Sequence, residues 1–330
     1  MKLPLELQAA DALRRLVLDQ SLKHQILGTP ALYQLFHSMA RRYVAGETLE
    51  TLIPVLEREE NSGHQTTVDF MGESVKTEAK SRAALEEFLK LCDALKGSYN
   101  RSVSPDLSHI GLTVDPKLCL ELALQLAQKT QACDLELMVS MEGSDRTDAV
   151  LNLHAQDLSD LQARGLDLHD RLCDQFPQIG ITVQAQLHRT ERDLEALLER
   201  PGGIRLVKGA FDETETVALR REDPRTNVRY LEYAKKLLSS GHPCSIGTRD
   251  AALLNDLHGF LQSNIFENYE FEMLYGLPEG QLERMHLLGH PTRLYLVYGR
   301  EWILYLLNRL AEKPERLFQA VMDLGSAQDV

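Results

Sequence analysis

Cysteine is scarce in this chain, and its five residues, Cys92, Cys119, Cys133, Cys173 and Cys244, are scattered and odd in number. None forms a CxxC pair, and no histidine stands at zinc-finger spacing from them. A disulfide framework and a structural zinc site are therefore excluded as organising principles. The five read as reduced, mostly buried thiols of a cytoplasmic protein. Long apolar runs are missing too: nothing approaches the ~18–20 residues that span a bilayer. The opening segment MKLPLELQAADALRRL is charged throughout, with no apolar signal core, so export is not expected. Positive charge is in deficit. Lys and Arg number 36 against 49 Asp and Glu, a net charge of −13, which argues against nucleic acid as a partner.

Several signatures are also absent. There is no GxGxxG, no GxxxxGK[ST], no GxSxG elbow, and no HExxH or HxH among His64, His109, His154, His188 and His242. Dinucleotide turns, phosphate loops, serine hydrolase chemistry and metal binding thus lack positive support.

What is present is an alternation. Residues 1–60 read as a helical segment. TPALYQLFHSMARRYVAG has apolar residues at helical spacing with Gly46 as its stop, and a second helix follows with Pro54 as a kink or early-turn residue. From 61 to 330 short β-rich runs take over: TTVDFM, RSVS, LELMVSM, ITVQAQL, IRLVKGA, CSIGT, YEFEML and TRLYLVY. Each connection between them is long enough for an amphipathic helix. Eight such alternations predict a (β/α)₈ barrel, with an open doubly wound sheet as the other topology.

Barrel chemistry gathers where strands end. That rule nominates Asp69 and Glu73, Ser140 and Glu142, Gln184 and His188, Arg205 and Lys208, Thr248 and Arg249, Leu274 and Tyr275, and Tyr295 and Tyr298. In IRLVKGAFDE, an arginine fork and a mobile lysine charge precede small residues, which suits an anion or a flat ring; solvated charges at a strand end are the plainer reading. In EWILYLLNRLAEKP, Tyr305, Arg309 and Glu312 fall at i, i+4 and i+7 on one helix face, joined by Trp302. That stripe suits a small zwitterion, or else is an exposed ion pair beside core aromatics.

Read in order, VDFMGESV, LSHIGLTVD, VSMEGSDRTD, VQAQLHRTERDL, IRLVKGAFDE, IGTRD, YEFEMLYGL, RLYLVYGREW and YLLNRLAEKP resemble the proline dehydrogenase family over about residues 35–315. The resemblance implies a barrel that holds non-covalent FAD under a last helix and oxidises L-proline or a similar cyclic secondary amine to the imine. It implies catalytic roles for Arg205, Tyr305 and Arg309. For the cofactor it implies Gln184, Arg205, Val207, Lys208, Gly209, Ala210, Thr248, Arg249 and Glu312. For the substrate it implies Glu73 as a gate, Leu274, Tyr295 and Tyr305 around the ring, and Arg309 with its neighbour Asn308 on the acid group. It implies a quinone acceptor too, and with it peripheral membrane contact.

The chain departs from the family pattern at several of these points. The paired arginines read Asn308-Arg309, the second-strand lysine reads Asp106, and the aspartate before Met-Glu reads Ser140. The tyrosine after Lys-Gly-Ala is Phe211, the histidine after Thr248 is Arg249, the Gln of EFQMLYG is Glu272, and the proline of YVPYG is Val297. These changes favour a substrate with a smaller, esterified or amidated acid group. Two further readings stay open: a weakened flavin-binding paralogue with a different substrate, and an aldolase using Lys208 as a Schiff-base nucleophile.

Overall fold

Short parallel strands and the helices between them account for most of the computed structural model, which describes residues 20–72, 75–97, 101–154, 172–211, 213–220, 223–263, 265–277, 280–312 and 315, with a few scattered positions before residue 20. Among these residues, β1 (Gln65–Phe70), β2 (Arg101–Val103), β3 (Glu136–Val139), β4 (Gly180–Gln184), β5 (Ile204–Val207), β6 (Cys244–Gly247), β7 (Tyr269–Leu274) and β8 (Thr292–Tyr298) close in sequence order into a barrel. The registers put Thr182 beside Arg205, Arg205 beside Ser245, and Ser245 beside Glu270. The predicted (β/α)₈ barrel is what is found, and each β-rich run of the sequence contains one strand.

By internal contacts the chain divides into two compact units. One takes in Met1–Leu56, Leu274–Pro278 and Leu296–Val330; the other takes in Glu57–Met273 and Glu279–Tyr295. In the larger unit β4 to β6 and the start of β7 carry apolar residues at alternate positions. Ile181, Val183, Ile204, Leu206, Ile246 and Phe271 are buried on one side, and the helices present matching buried stripes such as Leu85, Phe88 and Leu91 in α4 (Glu78–Leu95). The helices start where side chains replace missing backbone partners. Asp115, Asp223 and Asp250 each accept a backbone N–H at the starts of α5 (Pro116–Ala132), α9 (Pro224–Ser240) and α10 (Ala251–Gln262). Pro116 and Pro224 sit in the first turn, where no N–H is needed.

In the smaller unit, α1 (Gln20–Gly28) and α2 (Pro30–Ala40) precede α3 (Leu49–Asn61). One expectation needs correction here. The helix over TPALYQLFHSMARR ends at Ala40, not at Gly46, because Tyr43 and Val44 turn their N–H groups back onto the carbonyl of Ala40. Gly46 instead bridges to Tyr298, where a Cβ would lie 2.4 Å from the Thr51 side chain. Pro54 stands inside α3, in its second turn. On α12 (Trp302–Glu312), Trp302 is fully buried and packs edge-on against Tyr33 and His37, with ring centroids 5.7 and 5.5 Å away.

Cys92, Cys119, Cys133 and Cys244 are buried and form no disulfide, as expected; the side chain of Cys173 lies outside the described residues. Burial pushes the Cys92 and Cys244 thiols up to about 12, and Cys119 higher still. The native protein at about pH 8 is therefore expected to react with an aromatic disulfide reagent at Cys173 at most, and at all five thiols once denatured. Rapid labelling of two or more thiols in the folded state would contradict this packing.

Candidate active site

Period two puts alternate strand residues on the inside of the barrel. Glu270 and Glu272 of β7 share that face, as do Thr67 and Asp69 of β1 and Arg293 and Tyr295 of β8. Polar side chains there must find partners among themselves, because an isolated buried charge is costly. They do so in two layers.

The lower layer centres on Arg293. Its guanidinium donates to Glu270 at 2.6 Å, to the carbonyl of Thr66 at 3.0 Å, to Gln65 at 2.7 Å and to Glu136 at 3.0 Å. Ser245 also donates to Glu270. Burial pushes the Glu270 carboxyl up; Arg293 opposes this and the charge of Glu272 adds to it.

The upper layer centres on Arg205, which is 4% exposed. Its fork meets Glu272 in bidentate fashion, with Nε to Oε2 at 2.6 Å and Nη2 to Oε1 at 2.9 Å. Nη1 donates to Ser104 at 2.9 Å and Thr182 at 3.3 Å, and Nη2 to Thr67 at 3.4 Å. The guanidinium also lies 5.0 Å from the Tyr295 ring centroid. Above it, Tyr295 donates its hydroxyl proton to Asp69 at 3.1 Å and lies 3.5 Å from Ser140. Burial first, then the charge of Asp69, holds the Tyr295 phenol well above its ordinary range; Asp106 pushes the same way and Arg205 against it. Tyr295 is thus a neutral donor at any working pH.

At the strand ends, Gln184 donates to the carbonyl of Glu142 at 3.0 Å, while its buried Oε1 has no partner. Glu142 is itself held by the Ser108 N–H at 2.8 Å and by Arg146 at 2.7 Å. Val207 is half-buried at the end of β5. Next to it, Lys208 donates to Asp250 at 2.7 Å, and Asn227 donates to the same oxygen at 3.2 Å. Burial raises the Asp250 carboxyl, but Lys208 together with the N–H groups of Leu253 and Ala252 outweighs it and leaves the group below its usual range. Thr248 is buried and accepts the Asp250 N–H at 3.2 Å; Arg249 is half-buried.

The larger unit therefore brings Asp69, Ser140, Arg205 and Tyr295 together, with Gln184 and Glu142 in a second cluster and Lys208 and Thr248 in a third. Two expectations change, those for Arg205 and Asp106. Arg205 is the second residue of β5, engaged inside the barrel rather than standing at the strand end. Gly209 has φ +128, and what would meet its Cβ is the side chain of Gln186 at 2.2 Å. Its smallness thus makes room for the Gln186 side chain, and Ala210 beside it is exposed. Asp106 lies three residues past β2, half-buried, not within the strand. Glu73 lies outside the described residues. Glu270 and Arg293 were not among the predicted residues, although Glu-x-Glu in YEFEML and Arg-x-Tyr in TRLYLVY are the period-two signals that reveal them.

In the smaller unit, α12 carries its predicted stripe. Arg309 stacks over the Tyr305 ring at 5.1 Å and pairs with Glu312 at 2.6 Å. That pair is mostly buried rather than exposed, and Asn308 on the same helix is exposed. Leu274 closes β7, half-buried.

The donor set has one feature that asks for a ligand. A buried carbonyl acceptor without a partner costs about 1–3 kcal/mol, and a ring N–H such as an isoalloxazine carries would satisfy Gln184 Oε1. The residues at this barrel end fit a flavin on that ground.

The family model described as proline dehydrogenase matches residues 52–316 of the chain. Proline dehydrogenase 1 of Bacillus subtilis (strain 168) is 28% identical over 284 residues, covering 83% of this chain and 87% of that protein. Proline dehydrogenase of Deinococcus radiodurans is 28% identical over 288 residues, covering 85% and 88%. Among solved structures, proline utilization A from Bdellovibrio bacteriovorus, inactivated by N-propargylglycine, superposes with a TM-score of 0.75 at 19% identity, over 92% of this chain. The chain spans only 36% of that larger protein, and the likeness is one of fold.

Proposed function

The chain belongs to the proline dehydrogenase family, and from that we propose that it oxidises L-proline or a related cyclic secondary amine to the imine, using FAD. The observation that carries the cofactor half of this reading is the unpartnered Oε1 of Gln184 at the end of β4. A bound flavin would supply the hydride acceptor for this chemistry. Gln184, Val207, Lys208, Gly209, Ala210, Thr248, Arg249 and Glu312 would hold it, by the positions they share with the family pattern.

The chain's own groups have separate tasks. Oxidation of an amine needs the nitrogen lone pair, so the ring must be bound neutral, and Asp69 behind Tyr295 gives a proton route at the Tyr295 hydroxyl. By the same family positions, Leu274, Tyr295 and Tyr305 would pack on the ring. Arg205 supplies a fixed positive charge inside the barrel, held still by Glu272. By the positions they share with the family pattern, Arg309 would donate to an oxygen of the substrate's second group, Asn308 would add a neutral hydrogen bond, Asp106 and Ser140 would also meet the substrate, and Glu73 would gate entry. The reading includes a quinone acceptor met at a membrane surface; among the described residues no helix is long and apolar enough to cross a bilayer.

The test is direct. The purified protein is expected to be yellow, and anaerobic addition of L-proline or a panel of cyclic amines is expected to bleach it. A flavin that stays oxidised with every amine favours the weakened paralogue. A colourless protein that takes up no FAD ends the flavoenzyme reading.

A further inference from the structure

Arginine offers five N–H donors in a rigid fork. In Arg205 two of them close on the carboxylate of Glu272, Nε at 2.6 Å and Nη2 at 2.9 Å, and the Glu272 side chain is 3% exposed. The Thr67 hydroxyl donates to the same carboxylate at 2.9 Å. Opposite charges locked together in a dry interior present a dipole to their surroundings rather than a bare cation. Lys208 and Arg146, also at this end of the barrel, are paired likewise, with Asp250 and Glu142, each at 2.7 Å.

The register shows what the Arg205–Glu272 pair underlies. Thr182 on β4 lies beside Arg205 on β5 and accepts from its Nη1 at 3.3 Å. Gln184, whose buried Oε1 has no partner, follows two residues further along β4. Two residues of strand rise about 6–7 Å, so the pair lies one layer below the acceptor that calls for a ring N–H.

We propose that Glu272 sets the redox poise of the flavin through Arg205: its carboxylate offsets the guanidinium charge, holds the midpoint potential below the value an uncancelled arginine would give, and so makes the reduced cofactor readier to pass its electrons on. The proposal rests on the reading that this barrel binds FAD. A hydride carries two electrons and one proton, so a neutral ring that takes it up gains one negative charge. The neutral amine that gives it up becomes the iminium, which loses a proton to give the imine. A net cation near the ring stabilises the new negative charge, and a neutral pair does so less. Glu272 is thus a positioning residue that acts through Arg205. A glutamine, which the family pattern has at this position, would keep one acceptor for Arg205 and leave its charge uncancelled.

The experiment equilibrates the flavin-loaded full chain with a redox dye of known potential during slow anaerobic photoreduction at one neutral pH, with no amine present. Glu272→Gln is expected to raise the ratio of reduced to oxidised flavin at a given ambient potential at least tenfold, a shift of about +30 mV for a two-electron couple. Glu272→Asp, which keeps the charge, should leave the ratio near the wild-type value. Flavin content and thermal melting establish that each variant is folded and loaded; a merely structural role for Glu272 would move the melting temperature and leave the ratio alone. A folded Glu272→Gln protein with an unchanged or lowered ratio overturns the proposal. If that variant does not fold, the exchange of both partners, Arg205→Met with Glu272→Leu, decides. One neutral pair then replaces another, and the ratio is expected to stay near the wild-type value. A tenfold fall would show that the arginine's charge reaches the flavin uncancelled, and would overturn the proposal. Failure of every amine to bleach the flavin counts against the dehydrogenase reading alone, because the dye titration needs no amine; a protein that takes up no FAD overturns both.

Discussion

Arg293→Met is expected to lower the unfolding free energy by about 3–5 kcal/mol, the range for removing one member of a buried ion pair. The side chain is 3% exposed and serves four acceptors, of which Glu270 is deeply buried. Methionine replaces the volume but leaves Glu270 with only the Ser245 hydroxyl. Burial already pushes this carboxyl up, and Glu272 two residues on adds to the strain. The sign of the pH dependence follows. A carboxyl raised in the folded state binds its proton more tightly folded than unfolded, so folding loses stability as pH rises through its titration. The deficit of Arg293→Met should therefore be large at neutral pH and shrink in acid, where Glu270 is protonated. Adding Glu270→Leu should recover much of the loss, since an apolar pair of similar volume replaces a buried ion pair at little net cost. Urea unfolding of the three proteins at two pH values checks this. A loss under about 1 kcal/mol at neutral pH would mean that the lower layer is not the cross-brace its geometry describes.

Arg309→Met is expected to weaken the productive amine by roughly 10- to 150-fold, from the loss of about 1.5–3 kcal/mol for a hydrogen bond to a charged group. The side chain is mostly buried, stacked on Tyr305 and balanced by Glu312. An arginine balanced in this way suits a carbonyl oxygen as well as a carboxylate. Flavin content should be unchanged, so the effect appears in KM and in the binding constant while the visible spectrum stays the same. Glu312 loses its partner in this variant, and a melting curve separates that structural effect from the binding one. Unchanged substrate affinity in a folded protein would remove Arg309 from the site.

The barrel was legible in the sequence because strand and helix periods differ. The runs from TTVDFM to TRLYLVY are short, mixed and evenly spaced, and each holds a strand. The boundary of α2 was harder to read. Apolar spacing continues through Tyr43 and Val44 to Gly46, and only the backbone turn at Ala40 stops the helix. Arg205 was found as a residue but not as a network. Its importance stood out locally in IRLVKGA, whereas its partner Glu272 lies 67 positions away, and nothing in one sequence couples the two. Likewise the sequence could not show that Gly209 packs close to the side chain of Gln186. Spacing shows which face a side chain takes; it does not show what meets it there.

The paired carboxylates of β7 also fix where that strand can lie. Sliding β7 by one residue against its neighbours would turn Glu270 and Glu272 outward into the apolar shell and bring Phe271 and Met273 inward, stranding two guanidinium groups in the process. Few misalignments of a strand carry such a penalty. The strand is thus keyed against slipping by one residue.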